Sequence, residues 1–299
     1  MNRIILSLPG NESCASGLEA SGIGRRMELH IHRFPDGETM VRVDPSVSGC
    51  DILVVCTLHE PDQHVMSLIL TSDLCRQLGA TSVSLVAPYL AYMRQDKRFE
   101  EGQSISAGSF MTLLSSYFDA ILAVDPHLHR IHSLDEVCSV PTKVVHAAGA
   151  IGEWIKEHVE DPIVIGPDGE SRQWVADVAK HIGAPFEVVT KLRFGDRDVQ
   201  EQKPDAAVLG GHQPVLVDDI ISTGQTLAQA AKNLLAAGTK VPICIGVHAV
   251  FAGDAEKIIR STGITQIVTC DTIPHPTNGI ALTSEIAKGI HELLDITKD

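Results

Sequence analysis

Residues 214–230 read PVLVDDIISTGQTLAQA, and the fold follows from how that run is parsed. Pro214–Val217 is apolar and β-favouring and ends at two adjacent carboxylates, Asp218 and Asp219. Ile220 and Ile221 follow, then the small polar turn Ser222-Thr223-Gly224-Gln225-Thr226. Leu227 through Ala237 is rich in Ala and Leu and predicts a helix closed by Gly238. A buried strand, an acidic pair, a turn of hydroxyls and glycine, and a helix N-terminus together predict a site for a phosphorylated sugar. The N–H groups that open the helix attract phosphate, reinforced by the helix dipole. The carboxylates repel phosphate and are left to take sugar hydroxyls or a metal, which suits a ribose phosphate. The plainer reading is an acidic strand end followed by a helix that Ser222 or Thr223 caps. A cap, however, has no need of two preceding aspartates.

Outward from this run the same alternation repeats. Strands are predicted at 4–8, 51–56, 82–87 and 120–124, with helices at 64–78 and 104–117 between them. In the second half, strands at 162–166, 186–190, 241–250 and 266–270 alternate with helices at 147–159, 172–181 and 255–261. Such alternation argues for an α/β fold of two similar doubly wound parallel-sheet domains. The expected division is residues 1–143 and 144–281, with the closing helix 282–296 a candidate to return to the first domain. Residues 27–33 and 39–43 alternate apolar and polar side chains around Phe34-Pro35-Asp36-Gly37-Glu38, which predicts a hairpin in the N-terminal domain. The stretch Phe194–Gly211 is polar, with little apolar periodicity, and predicts a loop; beside a strand end its functional version is a closing lid.

Composition excludes several classes. Charged residues make up 21% and hydrophobic ones 44% of 299 residues, the balance of a soluble globular protein. A net charge of −14 argues against nucleic acid as a partner. No apolar run reaches the roughly 18 residues of a membrane span, and MNRIILSLPG is too short for a secretory signal. Seven cysteines, at 14, 50, 56, 75, 138, 244 and 270, form no CxxC pair, which suggests reduced thiols and a cytoplasmic location. The 14 histidines show no zinc-binding spacing.

Ligands of open α/β sheets bind beyond the carboxyl ends of the strands. The groups predicted there are Arg94, Gln95 and Asp96; His127; Asp168; Lys191 and Arg193; and Asp218 through Thr226. Any one of them alone reads equally well as a strand exit to solvent. Together they place cations, two acidic loops and a histidine along one edge. Lys191 and Arg193 alternate in an extended segment and so share a side. Arg94 can clamp a phosphate through two nitrogens, as Lys cannot.

The segments FPDGE at 34–38, PYLAYMRQDKRF at 88–99, VDPHLH at 124–129, KLR at 191–193 and VDDIISTGQT at 217–226 carry a resemblance. In their order and spacing they resemble the ribose-phosphate diphosphokinase, or phosphoribosyl pyrophosphate synthetase, family, particularly its shorter archaeal-type branch. The last segment is shared with phosphoribosyltransferases generally; the others are not expected there. The resemblance implies domains of phosphoribosyltransferase type and transfer of the diphosphoryl group of MgATP to the anomeric hydroxyl of ribose 5-phosphate. The products would be phosphoribosyl pyrophosphate and AMP. It implies catalytic roles for Lys191 and Arg193, and ATP binding by Phe34, Asp36, Glu38, Arg94, Gln95, Asp96 and His127. It assigns ribose 5-phosphate to Asp218, Asp219, Ser222, Thr223, Gly224, Gln225 and Thr226, and Mg2+ to His127 and Asp168. Because Phe34, Asp36 and Glu38 match residues that reach across a subunit interface, it implies a homodimer or higher homo-oligomer.

Two departures from the family pattern stand out: Gln225 where glycine is common, and Pro167-Asp168-Gly169-Glu170 in place of Pro-Asp-x-Gly. Histidine is a poor ligand for Mg2+, so for His127 a hydrogen bond to phosphate or metal-bound water is the alternative. His129 and His132 read as structural or surface groups. Two other functions use the same features. A non-catalytic regulatory homologue would lose the Lys or the Arg, and a phosphoribosyltransferase would lack FPDGE and RQD.

Overall fold

The computed structural model describes residues 2–189, 191–194, 198–201 and 209–296, with the backbone alone for 191–194 and 198–201. The chain forms two compact units, Met1–His146 with Thr283–Asp299, and Ala147–Leu282. In chain order the first unit holds β1 (Arg3–Ser7), α1 (Glu12–Ala20), β2 (Arg25–Arg26), β3 (Leu29–Arg33), β4 (Thr39–Val43) and β5 (Asp51–Val55). It continues with α2 (Val65–Gln77), β6 (Ser82–Ala87), α3 (Ser106–Tyr117), β7 (Ala120–Val124) and β8 (Thr142–Val145). The second unit holds α4 (Ala148–His158), β9 (Pro162–Gly166), α5 (Arg172–Ile182), β10 (Phe186–Val188), β11 (Lys191–Phe194) and β12 (Asp198–Glu201). Then come β13 (Gln213–Ile221), α6 (Gln225–Ala236), β14 (Ile243–Ala249), α7 (Ala255–Arg260), β15 (Ile267–Cys270) and β16 (Asn278–Ile280). The chain re-enters the first unit as α8 (Thr283–Ile296).

In unit 1 the sheet order is β2-β1-β5-β6-β7-β8, every pair parallel. Its central strands are continuous apolar runs because helices cover both faces; Ile4, Ile52, Val54, Leu85 and Ile121 are fully buried. Helix α1 was not predicted from ESCASGLEA, and Gly17 within it explains why. A Cβ at Gly17 would come within 2.7 Å of Thr283 Cγ2 in α8. The residue that weakens the helical pattern is thus the one that lets two helices approach. Gly289 does the same on the sheet side of α8, where a Cβ would meet Val145 Cγ2 at 2.5 Å.

In unit 2 the order is β10-β9-β13-β14-β15-β16, again parallel throughout. The opening strand is longer than predicted. It does not stop at Val217, because Asp218, Ile220 and Ile221 pair with Gly246, His248 and Ala249 of β14. Asp218 and Asp219 therefore belong to the strand, anchored by its ladder. The stretch read as a loop from 194 contains strand β12, which pairs antiparallel with β11, Lys191 opposite Glu201 and Phe194 opposite Asp198. Backbone pairing needs no apolar periodicity, so the sequence pattern did not reveal it. Residues 195–197 and 202–208 of the predicted lid lie outside the described residues.

The topological switch point of unit 2 falls between β9 and β13, the strands that lead to Asp168 and to Asp218–Thr226. In unit 1 it falls between β1 and β5, where buried Asn11 bridges the loops that follow the two strands. Its Oδ1 accepts from Thr57 N at 2.7 Å and its Nδ2 donates to Leu8 O at 3.2 Å. Arg94, Gln95, Asp96 and His127 stand instead beyond the ends of β6 and β7. Strands β3 and β4 form a separate antiparallel hairpin, Leu29 opposite Val43 through Arg33 opposite Thr39. Among the described residues no helix is long and apolar enough to cross a membrane.

Candidate active site

The acceptor residues are built on unit 2. The apolar face of α6, with Leu227, Ala230, Ala231 and Leu234, is buried against the β13 side of the core. This leaves Thr223, Gln225 and Thr226 exposed at its start, while Gly224 is buried. Gly224 takes φ 74° and a Cβ there would meet Ala255 O at 2.8 Å. The glycine this turn requires is therefore residue 224. Gln225 is the first helical residue with ordinary backbone angles, so its side chain costs the turn nothing. No side chain caps α6, and Ala228 N, bonded to Gly224 O at 2.9 Å, makes its first helical bond. Neither Ser222 nor Thr223 serves as the cap of the plainer reading. The N–H groups of Gln225, Thr226 and Leu227 precede that first bond and have no acceptor one turn back in the helix.

Next to this positive end is a concentration of negative charge. The Asp218 carboxyl is held well above the usual carboxylate range, first by burial and then by the charges of Asp219 and Asp168. Asp168 ends the loop after β9 and caps the next turn, its Oδ1 accepting from Glu170 N at 3.0 Å and Ser171 N at 3.3 Å. Gly166 makes room for this turn, since a Cβ would sit 2.3 Å from Ser171 Oγ. That hydroxyl donates to Asp168 O at 2.6 Å. Asp168 thus caps and also faces the acidic pair. Glu170 is exposed at the surface of the loop. Lys191 and Arg193 stand two residues apart in the backbone of β11. Their side chains lie outside the described residues.

Unit 1 carries the remaining predicted groups. The hairpin tip closes through Gly37 N to Phe34 O at 2.9 Å, with Gly37 at φ 93°. Asp36 Oδ1 accepts from Glu38 N at 3.1 Å. Phe34 is 41% exposed, its ring 4.6 Å from that of His32 in an edge-on pair. A large aromatic displayed on a two-stranded projection is available to a flat ligand or another chain. After β6 the chain turns sharply at Tyr92, φ 65°, whose hydroxyl bonds Asp62. Gln95 is fixed by its backbone to Tyr92 O at 3.0 Å and Arg94 stays exposed. Asp96 is already engaged: its carboxylate, only 4% exposed, takes Arg130 Nη1 at 3.1 and 3.2 Å. Lys97 lies over the Phe99 ring at 5.2 Å, as a solvated loop residue does.

After β7, Asp125 adopts φ 32° and its buried carboxylate holds His146 Nδ1 at 2.7 Å. His127 follows, its ring edge-on to that of His129 at 4.0 Å. Arg130 and His146 carry no signal in the sequence, because their partners lie 34 and 21 residues away. No local pattern signals such pairs. Burial pushes the Cys56 thiol up to about 12 and the Cys75 thiol up to about 11, away from the thiolate form.

Residues 4–117 match the N-terminal domain of ribose phosphate pyrophosphokinase, and residues 143–284 match the phosphoribosyl transferase domain. A ribose-phosphate pyrophosphokinase of Methanopyrus kandleri is 34% identical over 265 residues, covering 87% of this chain and 89% of the relative. One from Saccharolobus solfataricus is 34% identical over 245 residues, covering 80% and 82%. The crystal structure of phosphoribosylpyrophosphate synthetase from Mycobacterium smegmatis shares the fold, with a TM-score of 0.86 over 99% of this chain and 100% of that one at 24% identity. Sequence motifs, paired α/β units and full-length relatives agree: the chain belongs to the ribose-phosphate pyrophosphokinase family.

Proposed function

We propose that this protein transfers the β,γ-diphosphoryl group of MgATP to the anomeric hydroxyl of ribose 5-phosphate, as a homodimer or larger homo-oligomer in the cytoplasm. The anomeric oxygen attacks the β-phosphorus, the bond from that phosphorus to the α–β bridging oxygen breaks, and AMP leaves with the bond's electrons. The hydroxyl proton passes to solvent. The observation that carries the acceptor half is the uncapped start of α6 beside a carboxylate pair already under mutual repulsion. The N–H groups of residues 225–227, with the hydroxyls of Ser222, Thr223 and Thr226, hold the 5-phosphate. Asp218 and Asp219 accept from the ribose hydroxyls.

Displacement at phosphorus asks mainly for alignment and charge neutralisation. Lys191 and Arg193 supply the cations on the transferring group. Arg94 and Gln95 hold the nucleotide phosphates, and Asp96 orients Arg130 toward the same purpose. Phe34 stacks on the base, with Asp36 and Glu38 accepting from the nucleoside; the exposure of all three suits delivery to a second protomer.

Mg2+ takes hard oxygen ligands, and the donors here fit it. Asp168 beside the acidic pair would hold it and, when bound, it would neutralise phosphate charge; His127 would bond a nucleotide phosphate or water bound to its metal. Phosphorus NMR of protein, MgATP and ribose 5-phosphate tests the reading. Equal growth of AMP and phosphoribosyl pyrophosphate supports it. ADP in place of AMP, or turnover only when phosphoribosyl pyrophosphate and a base are supplied, refutes it. The latter outcome favours a phosphoribosyltransferase, and no turnover in either mixture favours a regulatory homologue.

A further inference from the structure

Behind the 222–226 turn lies a segment to which neither motifs nor relatives' names assign a role. After β14 the chain turns back at Phe251, whose backbone is left-handed at φ 41° although the residue is bulky. Strain of that kind persists only where the surroundings enforce it. Here Phe251 N donates to Ile221 O at 2.8 Å and Ala252 N to Ser222 O at 3.0 Å, so the segment is laced to the first residues of the turn. A few residues on, Ala255 O and Ile259 press against Gly224, the ideal Cβ position lying 2.8 and 3.0 Å from them. The turn is thus supported from behind at both ends.

What holds Phe251 is His275. The two rings stack with centroids 4.3 Å apart and planes at 20°. His275 is itself fixed by a chain of hydrogen bonds whose direction can be read. Asn278 Nδ2 donates to Thr269 Oγ1 at 2.9 Å and to Cys270 O at 2.8 Å, while Asn278 Oδ1 accepts from His275 N at 2.9 Å. The Thr269 and Thr277 hydroxyls are 2.8 Å apart, and Thr277 Oγ1 is 2.8 Å from His275 Nδ1. Thr277 N also donates to His275 Nδ1, at 3.3 Å. A nitrogen that receives an N–H must carry a lone pair, so Nδ1 is the acceptor and the ring proton sits on Nε2. The Thr277 hydroxyl then donates to His275 and accepts from Thr269, and every hydroxyl proton in the chain is used. The same segment is pinned to β14 through Thr272, which donates to Val247 O at 2.8 Å.

We propose that the His275–Phe251 stack is a brace that sets the geometry of the 222–226 turn, making His275 a positioning residue for the 5-phosphate although it is not part of the motif that binds it. This rests on the reading of 222–226 as the sugar-phosphate site. Backbone N–H groups discriminate by direction, so a small rotation of the turn weakens their grip on phosphate while leaving the nucleotide residues of the other unit untouched.

Steady-state kinetics on the full chain tests it with His275→Ala, His275→Phe, which keeps a flat ring against Phe251, and Thr223→Ala as a reference within the turn. The expected result for His275→Ala is a KM for ribose 5-phosphate raised roughly 10-fold, with kcat and the KM for ATP within about 2-fold. His275→Phe restores most of the loss. A KM for ribose 5-phosphate unchanged in His275→Ala but raised in Thr223→Ala overturns the brace and leaves the site reading intact. Unchanged values in both overturn the site reading itself. A fall of kcat with a rise in the KM for ATP as well as that for ribose 5-phosphate, or no rescue by Phe, shows a general structural role and also overturns the proposal. If the Ala variant does not fold, the His275→Phe and Phe251→Leu pair decides in the same way, the second variant alone raising the KM for ribose 5-phosphate.

Discussion

Asp218 sits where its charge is disfavoured. Burial and the charges of Asp219 and Asp168 all disfavour its ionised form. An aspartate whose folded pKa is raised costs stability above that pKa and returns it as pH falls. Asp218→Asn removes the ionisable group at nearly constant shape, so the melting midpoint at neutral pH should rise while activity falls. A lowered midpoint in scanning calorimetry would contradict this assignment. His275 has the opposite sign: burial holds its imidazole below the ordinary value, with Glu256 opposing. Its contribution is complete above the ordinary imidazole pKa of about 6.5 and is lost as pH falls below it. The wild-type midpoint should therefore drop further between pH 7.5 and 5.5 than that of His275→Phe. Equal drops would show that this ring carries no linked proton.

The turn between β13 and α6 shows what could be read in advance at the level of elements and what could not. Its acidic pair, hydroxyls and helix were legible because each announces itself within a few residues. The position of the obligatory glycine was not, since Gly224 is fixed by contact with Ala255 and Ile259, 31 and more residues further on. The brace through Phe251 and His275, the Asp96–Arg130 pair and the Asp125–His146 pair were hidden for the same reason. Helix α1 was hidden because Gly17 answers to α8 and not to its own helix. Two glycines provide a test. Gly224→Ala meets both a left-handed backbone and a backbone oxygen at 2.8 Å, whereas Gly238 has φ 83° with nothing within 4 Å of an added Cβ. Each substitution should cost roughly 1–2 kcal/mol of backbone strain, but only Gly224→Ala should also raise the KM for ribose 5-phosphate. A comparable KM change in both would deny the turn its special role.

Across the whole molecule, the alternation of strands and helices and the parallel sheets were legible because buried parallel strands are written as unbroken apolar runs. The chain crosses from one unit to the other after His146 and comes back at Thr283. Helix α8 closes unit 1 against β7 and β8, and its Gly289 lets the helix approach Val145 and Leu122 closely. The central claim is that the two units together perform diphosphoryl transfer, and formation of AMP on addition of ribose 5-phosphate to protein and MgATP tests it most directly. The account predicts AMP in step with ribose 5-phosphate consumed, cut by ~10²–10³ in rate in Lys191→Ala. AMP no greater than in that variant, or nucleotide cleavage independent of the sugar phosphate, would contradict it.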